Sequence, residues 1–194
     1  DMPEQDSKIE ITYNVLANGN VDVNMHFIPG NKALPEIPRL GMRMILKADY
    51  DQMTWLGRGP QENYADRKSG YLVGKYSASV WEQYHPYVRA QETANKCDVR
   101  WSTLASKSGA GIKVEGAQPL SVSAWNFPQA DLLYAPSMQE HRHGGCVDKK
   151  PMVWVNIDHR QMGVGGDNTG GAMVHPEYTI TPHEWSYGFT IMKK

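Results

Sequence analysis

Apolar and polar residues alternate with a period of two along most of this chain, and no amphipathic helical pattern persists beyond about two turns. Ile9, Ile11, Tyr13 and Val15 take one side of a strand, Ala17-Asn18-Gly19-Asn20 supplies a turn, and Val21, Val23, Met25 and Phe27 take the return. The pattern predicts a β-hairpin. After a proline-bearing connector from Pro29 to Pro38, Gly41 to Ala48 and Gln52 to Leu56 read as a second strand pair around Asp49-Tyr50-Asp51. Val99 to Ala105 and Gly111 to Glu115 form another pair across Ser106 to Ala110. Leu120 to Asn126, Pro151 to Ile157, Gln161 to Val164, Tyr178 to Thr181 and Glu184 to Met192 complete the strands, while Asp131 to Glu140 reads as either a short helix or a turn. Strands at this spacing, separated by turn residues, predict an all-β antiparallel sandwich. No internal repeat, low-complexity run or linker divides residues 1–194, so they read as a single domain.

Composition narrows the function classes. The chain has 194 residues, 40% hydrophobic and 21% charged, enough to bury a substantial core. Its 20 basic and 21 acidic residues leave a net charge of −1, which gives no electrostatic footprint for nucleic acid or an anionic membrane. No run approaches the roughly 20 apolar residues needed to span a bilayer, and Asp1 opens a polar stretch rather than a signal peptide. Cys97 and Cys146 are too few for a disulfide scaffold and lack metal or redox spacing, so they read as thiols and leave the compartment open. Six Trp and ten Tyr against three Phe favour rings with both an apolar face and a hydrogen-bonding edge. Such rings suit a sugar-binding surface and a large β-sandwich core alike.

Two stretches fit no ordinary strand or helix. In WLGRGPQENYADR, Trp55 to Arg67, Gly57 and Gly59 give backbone freedom and Pro60 sets the chain direction. Gln61 to Arg67 then present polar groups from a turn-like segment, as a surface loop also would. In WVNIDHRQMGVGGDN, Trp154 to Asn168, a β-like half runs into glycines closed by Asp167 and Asn168. Together with LPEIPRLGMRM at Leu34 to Met44 and PYVRAQETANKCDVRW at Pro86 to Trp101, these segments resemble the last domain of family 2 β-galactosidases. The resemblance extends from about Ile9 to Met192, with the first thirty residues matching only as strand pattern.

That resemblance implies a galactose-mutarotase-like supersandwich at the C-terminal end of a multidomain enzyme. The two catalytic glutamates of the family belong to a separate (β/α)₈ barrel, and nothing in this chain looks like that barrel. It further implies that the loop after the glycine cluster, here Gly166, Asp167, Asn168 and Gly170, reaches the sugar site. Gly170 stands where the family carries a tryptophan, removing a stacking surface of about 1–3 kcal/mol; Trp185 and His175 are the substitutes in view. The expected partners are the remaining domains of the parent enzyme and a galactoside or related carbohydrate. Exposed strand edges offer a route to a homo-oligomer.

Glycoside cleavage needs two carboxyl groups about 5–10 Å apart, and Glu62, Asp66, Glu92, Asp158 and Asp167 are the candidates. Each also has a plain structural reading. Glu62 and Asp66 flank Arg58 and Arg67 and suit charge-assisted bonding within a loop, while Asp158 and Asp167 sit where turns favour acids. No catalytic residue is therefore expected in this chain. Arg58, Glu62, Arg67, His141 and His143 remain secondary candidates for a binding surface.

His141 and His143 have the spacing that puts two imidazoles on one face of a strand, as metal sites require. A third ligand is not evident beyond His159 or Glu140, so neither a metal nor any other cofactor is expected. The run from Gly163 to Gly166 lacks the helix and wider fingerprint of a phosphate cradle, and the ten Met residues read as core filler. Two rival functions stay in view: a free-standing carbohydrate-binding module, which needs several coplanar exposed rings, and an aldose mutarotase, which needs His141 or His143 beside a carboxylate.

Overall fold

A computed structural model describes residues 6–30, 34–132, 147–168 and 170–194. Nine antiparallel strands carry the fold: β1 (Lys8–Val15), β2 (Val21–Ile28), β3 (Arg39–Lys47), β4 (Gln52–Gly59), β5 (Leu72–Ser79), β6 (Lys96–Ala105), β7 (Gly111–Trp125), β8 (Met152–Gln161) and β9 (Trp185–Lys193). Short 3₁₀ turns at Trp81–Gln83, Gln129–Leu132 and Pro176–Tyr178 are the helical elements among the described residues. None is long and apolar enough to cross a membrane.

Hydrogen bonding runs in the order β1-β2-β9-β7-β6-β4-β5, with β8 and β3 branching from β7. The branch arises because β7 is long. Its first half pairs β9 from Ile112↔Lys193 to Gly116↔Phe189, and its second half pairs β8 from Ser121↔Asp158 to Trp125↔Trp154. The two arms close on one apolar core, which takes Val23, Met25 and Phe27 from β2, Leu40 from β3 and Val153, Val155 and Ile157 from β8. The Tyr187 hydroxyl on β9 donates to the Ile157 carbonyl on β8, 2.9 Å away, stitching one arm to the other.

The outer face of the β3-β8 arm is covered as well. Ala90, Ala94, Trp125, Phe127, Leu132 and Val147 form a second apolar cluster, with Trp81 and Tyr84 packed against it. Trp125 stacks on Phe127 at 5.8 Å and donates its indole N–H to the Thr93 carbonyl at 2.9 Å. The segment at residues 81–95 is thereby fixed as a lid on that arm.

Most of the expected strands form, and the hairpin pairs Lys8↔Ile28 through Val15↔Val21. Several expectations need correction. β3 and β4 do not pair: β3 lies against β8, whereas β4 lies between β5 and β6, so residues 48–51 cross between arms. Gly111 to Glu115 and Leu120 to Asn126 belong to one continuous β7. The expected strand at Gln161 to Val164 is only the end of β8, and Tyr178 to Thr181 carries a 3₁₀ turn because Pro176 pre-sets a helical φ at its start. β5 went unrecognised because Leu72–Ser79 holds Gly74 and little periodic apolar content. Of Asp131 to Glu140, Asp131 and Leu132 lie in a 3₁₀ turn and the rest is outside the described residues.

Burial in the hairpin also differs from the alternation. Residues directly opposed across antiparallel strands share a face, so Ile9, Ile11 and Tyr13 point the same way as Phe27, Met25 and Val23. Yet Ile11 is 42% exposed and Val15 72%, while Val23 is 1% exposed. β1 ends the strand order beside β2, and its apolar row is bare at that edge.

Beside Trp55 of β4 a lysine, Lys96, is buried at 1% exposure. Its ammonium lies 5.0 Å from the Trp55 ring centre and donates to the Ala94 carbonyl at 2.9 Å and to Gln83 Oε1 at 3.1 Å. Burial pushes its pKa down to about 7, against the attraction of Glu62. Between that value and 10.5 the unfolded chain binds a proton that the folded chain has released, so this group makes stability rise as pH climbs above 7. Cys97, whose thiol burial raises to about 11, acts in the opposite sense only above pH 9. The stability difference between Lys96→Met and the parent sequence should therefore shift in favour of the parent from pH 7 to 9, as measured by urea unfolding at each pH.

Candidate functional site

The four sequence segments singled out above converge at one end of the sandwich, and Arg39 is where three of them meet. Its Nη2 donates to Glu92 Oε1 at 3.0 Å and to Gln161 Oε1 at 3.0 Å, while Nε lies 3.0 Å from Asp158 Oδ2 as an ion pair. Its guanidinium faces Trp125 at 5.4 Å, beside that of Arg43 at 5.8 Å. Asp158 is buried in mid-β8, not in a turn as its neighbours suggested. The β-bulge between Leu40 and Gly41 brings the bare Gly41 opposite it, and any Cβ there would collide with Asp158 Oδ1. Burial raises the pKa of both Asp158 and Glu92, with Arg39 opposing in each case.

The turn at residues 61–67 is clamped to the start of β6. Glu62 accepts from the Ala94 N–H at 2.6 Å, the Thr93 hydroxyl at 3.0 Å, the Tyr87 hydroxyl and Arg67. Burial alone would raise its pKa, but those four donors hold it below the ordinary carboxylate value. Asn63 exchanges backbone and side-chain bonds with Asn95 and accepts the Cys97 N–H at 2.8 Å. Arg67 lies over the Tyr64 ring at 4.9 Å. Arg58, grouped with this turn in the sequence, points elsewhere: its Nε reaches Asp98, and Nη1 donates to the Tyr71 carbonyl at 2.7 Å. Asp98 sits on a bulge of β6 at φ 54° and also takes Lys68, 3.0 Å away.

The glycine loop lies against the same turn. Asp66 Oδ2 accepts the Gly165 N–H at 2.7 Å, and a Cβ on Gly163 would come within 2.8 Å of that carboxyl. Farther along, Asn168 Oδ1 accepts the Gly170 N–H at 2.7 Å, and Asp167 Oδ1 meets His175 Nε2 at 2.8 Å. Asp167 and Glu177 raise the His175 pKa, the hydrogen bond to Asp167 contributing most. Gly166, Asp167, Asn168 and Gly170 are all exposed. Trp185 is held under Arg160 at 4.8 Å and beside His183 at 3.8 Å, with its N–H on the Thr181 carbonyl. Glu140, His141, His143 and Cys146 lie outside the described residues.

Between this turn and β8 runs a cleft of about 500 Å³, walled by Lys68 and Asp98 on one side and His159 and Arg160 on the other, with Glu177 on its lining. Its described lining includes the carboxylates of Asp98 and Glu177. Two cations hold the Asp98 pKa low despite partial burial, and Glu177 is largely exposed. The two carboxyls that burial raises, Glu92 and Asp158, share Arg39 instead. Of the Trp, Tyr and Phe side chains among the described residues, Tyr13 is the exposed one, and Tyr71, Tyr87, Trp101, Trp154 and Trp185 are half-buried.

A family model described as "Beta galactosidase small chain" matches residues 1–191. The chain belongs to this family. It is 37% identical over 171 residues to a β-galactosidase of Priestia megaterium, covering 88% of this chain and 16% of that protein. A β-galactosidase of Vibrio cholerae is 30% identical over 182 residues, covering 94% of this chain and 16% of its own length. A third, BgaC of Bifidobacterium adolescentis, is 33% identical over 182 residues, with 91% and 16% covered. The chain thus spans about a sixth of the curated relatives it matches. In this small-chain member the polar centre at Arg39 joins three segments far apart in sequence.

Removing one partner of a buried charge cluster leaves the others uncompensated, at a cost of about 3–5 kcal/mol. Arg39→Met should lose stability on that scale at neutral pH. Without the cation, the folded-state pKa of Asp158 moves further above its unfolded value, so the carboxyl can be buried only with its proton on. The deficit should shrink as pH falls toward 4 and grow as it rises, measured by thermal unfolding across that range.

Proposed function

We propose that this chain is a non-catalytic C-terminal domain of a β-galactosidase, in which the full-length enzyme hydrolyses terminal β-D-galactosides. In this reading residues 1–194 form one domain that brings no cofactor of its own. It packs on the catalytic portion and presents the loop at residues 165–171 near the sugar. The observation that carries the reading is the disposition of its acids. Among the described residues, both carboxyls with raised pKa are committed to Arg39, and Glu62 is committed to four donors, so none is left to protonate a leaving group. The bare apolar row of β1 supports a domain made to be covered by further polypeptide, since an exposed face of this kind marks an interaction surface.

The isolated chain offered a chromogenic β-galactoside should show no turnover above the uncatalysed rate; measurable hydrolysis would overturn the assignment. In the parent enzyme, Gly170→Trp should restore a ring at the loop tip. A stacking contact of about 1–3 kcal/mol corresponds to a drop in KM of about 5- to 150-fold, and an unchanged KM would remove the loop from the sugar site.

A further inference from the structure

We propose that Asp66 is the positioning residue for the glycine loop, fixing where residues 163–168 stand relative to the rest of the domain. The inference rests on the reading of that loop as sugar-facing for its functional meaning, but its structural content is independent of it. Three observations meet at this carboxylate. First, Oδ2 receives the Gly165 N–H at 2.7 Å across 99 residues of sequence. It is a charge-assisted bond from the turn to the loop; the loop's other bonds go to segments that follow it, Gly163 N–H to the Tyr178 carbonyl at 2.9 Å and Asp167 to His175 at 2.8 Å, or stay local, as from Gly170 to Asn168. Second, the loop backbone is shaped to admit the carboxyl: a Cβ on Gly163 would lie 2.8 Å from Asp66 Oδ2, and one on Gly165 would lie 3.2 Å from it. Third, Asp66 Oδ1 is buried with no hydrogen-bond partner among the described residues.

An unpartnered buried oxygen costs stability. Glu62, four residues earlier, has donors on both of its oxygens, whereas the donor to Asp66 comes from the glycine loop. Asp66 is therefore better explained by what it holds than by what it contributes to folding. It is also well placed for the task. The turn that carries it is fastened on both flanks, through Glu62 and Asn63 to residues 93–97 and through the Arg67 N–H, which donates to the Tyr64 carbonyl at 2.9 Å. A clamped turn that bonds the middle of a glycine segment fixes where that segment stands without bonding each of its residues.

The test compares Asp66→Ala and Asp66→Asn in the full-length parent enzyme. Hydrogen exchange in the peptide spanning residues 163–168 is measured alongside KM and kcat for a chromogenic galactoside. Asp66→Ala should speed exchange of that peptide at least tenfold while peptides from β7 and β8 keep their rates. Asp66→Asn retains an acceptor oxygen and should restore most of the protection. Unchanged exchange at residues 163–168 in Asp66→Ala would overturn the proposal, as would equal acceleration throughout the domain. The kinetics decide the separate question of the loop's target. A KM raised several-fold with kcat little changed places the loop at the sugar. Faster exchange with KM unchanged leaves Asp66 as the loop's anchor and removes the sugar from the account.

Discussion

The buried guanidinium of Arg39 is the constraint around which this end of the molecule is organised. It is an expensive device, because an arginine and two carboxylates must leave water together, and the pair energies recover that cost only with good geometry. The geometry comes from elsewhere: a bulge and a bare glycine on β3 turn the strand so that Asp158 fits, and Trp125 provides a flat wall. In return the cluster fastens β3, β8 and the covering segment at residues 81–95 to one point. An apolar substitute would fill the volume but would not specify which strand ends meet.

From that point a sequence of hydrogen bonds leads outward. The covering segment presents the Thr93 hydroxyl and the Ala94 N–H to Glu62, the turn around Glu62 carries Asp66, and Asp66 meets the glycine loop. Buried charge, clamped turn and exposed loop thus form a gradient from fixed to free. The two ends share no residue and are joined only through these intermediate bonds.

Much of the fold was legible in the sequence, and the parts that were not share a cause. Alternation finds strands because the side-chain period of a pleated ribbon is two, so the hairpin of β1 and β2 and the long runs of β6 to β9 stood out. It carries no information on which strand lies beside which, hence the mistaken pairing of β3 with β4. It is equally blind to coverage: Ile11 and Val15 alternate like residues of a covered face yet are exposed. For the site, local chemistry predicted the Glu62–Arg67 contact, five residues apart. It could not predict Arg58 with Asp98, or Asp158 with Arg39 across 119 residues, because side chains so distant meet only through topology. Glycine was the best available signal of these distant meetings: Gly41 and Gly163 are each small because a carboxylate from another segment occupies the space.

β7 belongs to both arms, giving its first half to β9 and its second to β8. No cut between the arms avoids that strand, so neither can melt away while the other keeps its full complement of backbone partners. Heat or denaturant should consequently act on the sandwich as one cooperative unit rather than peeling it layer by layer.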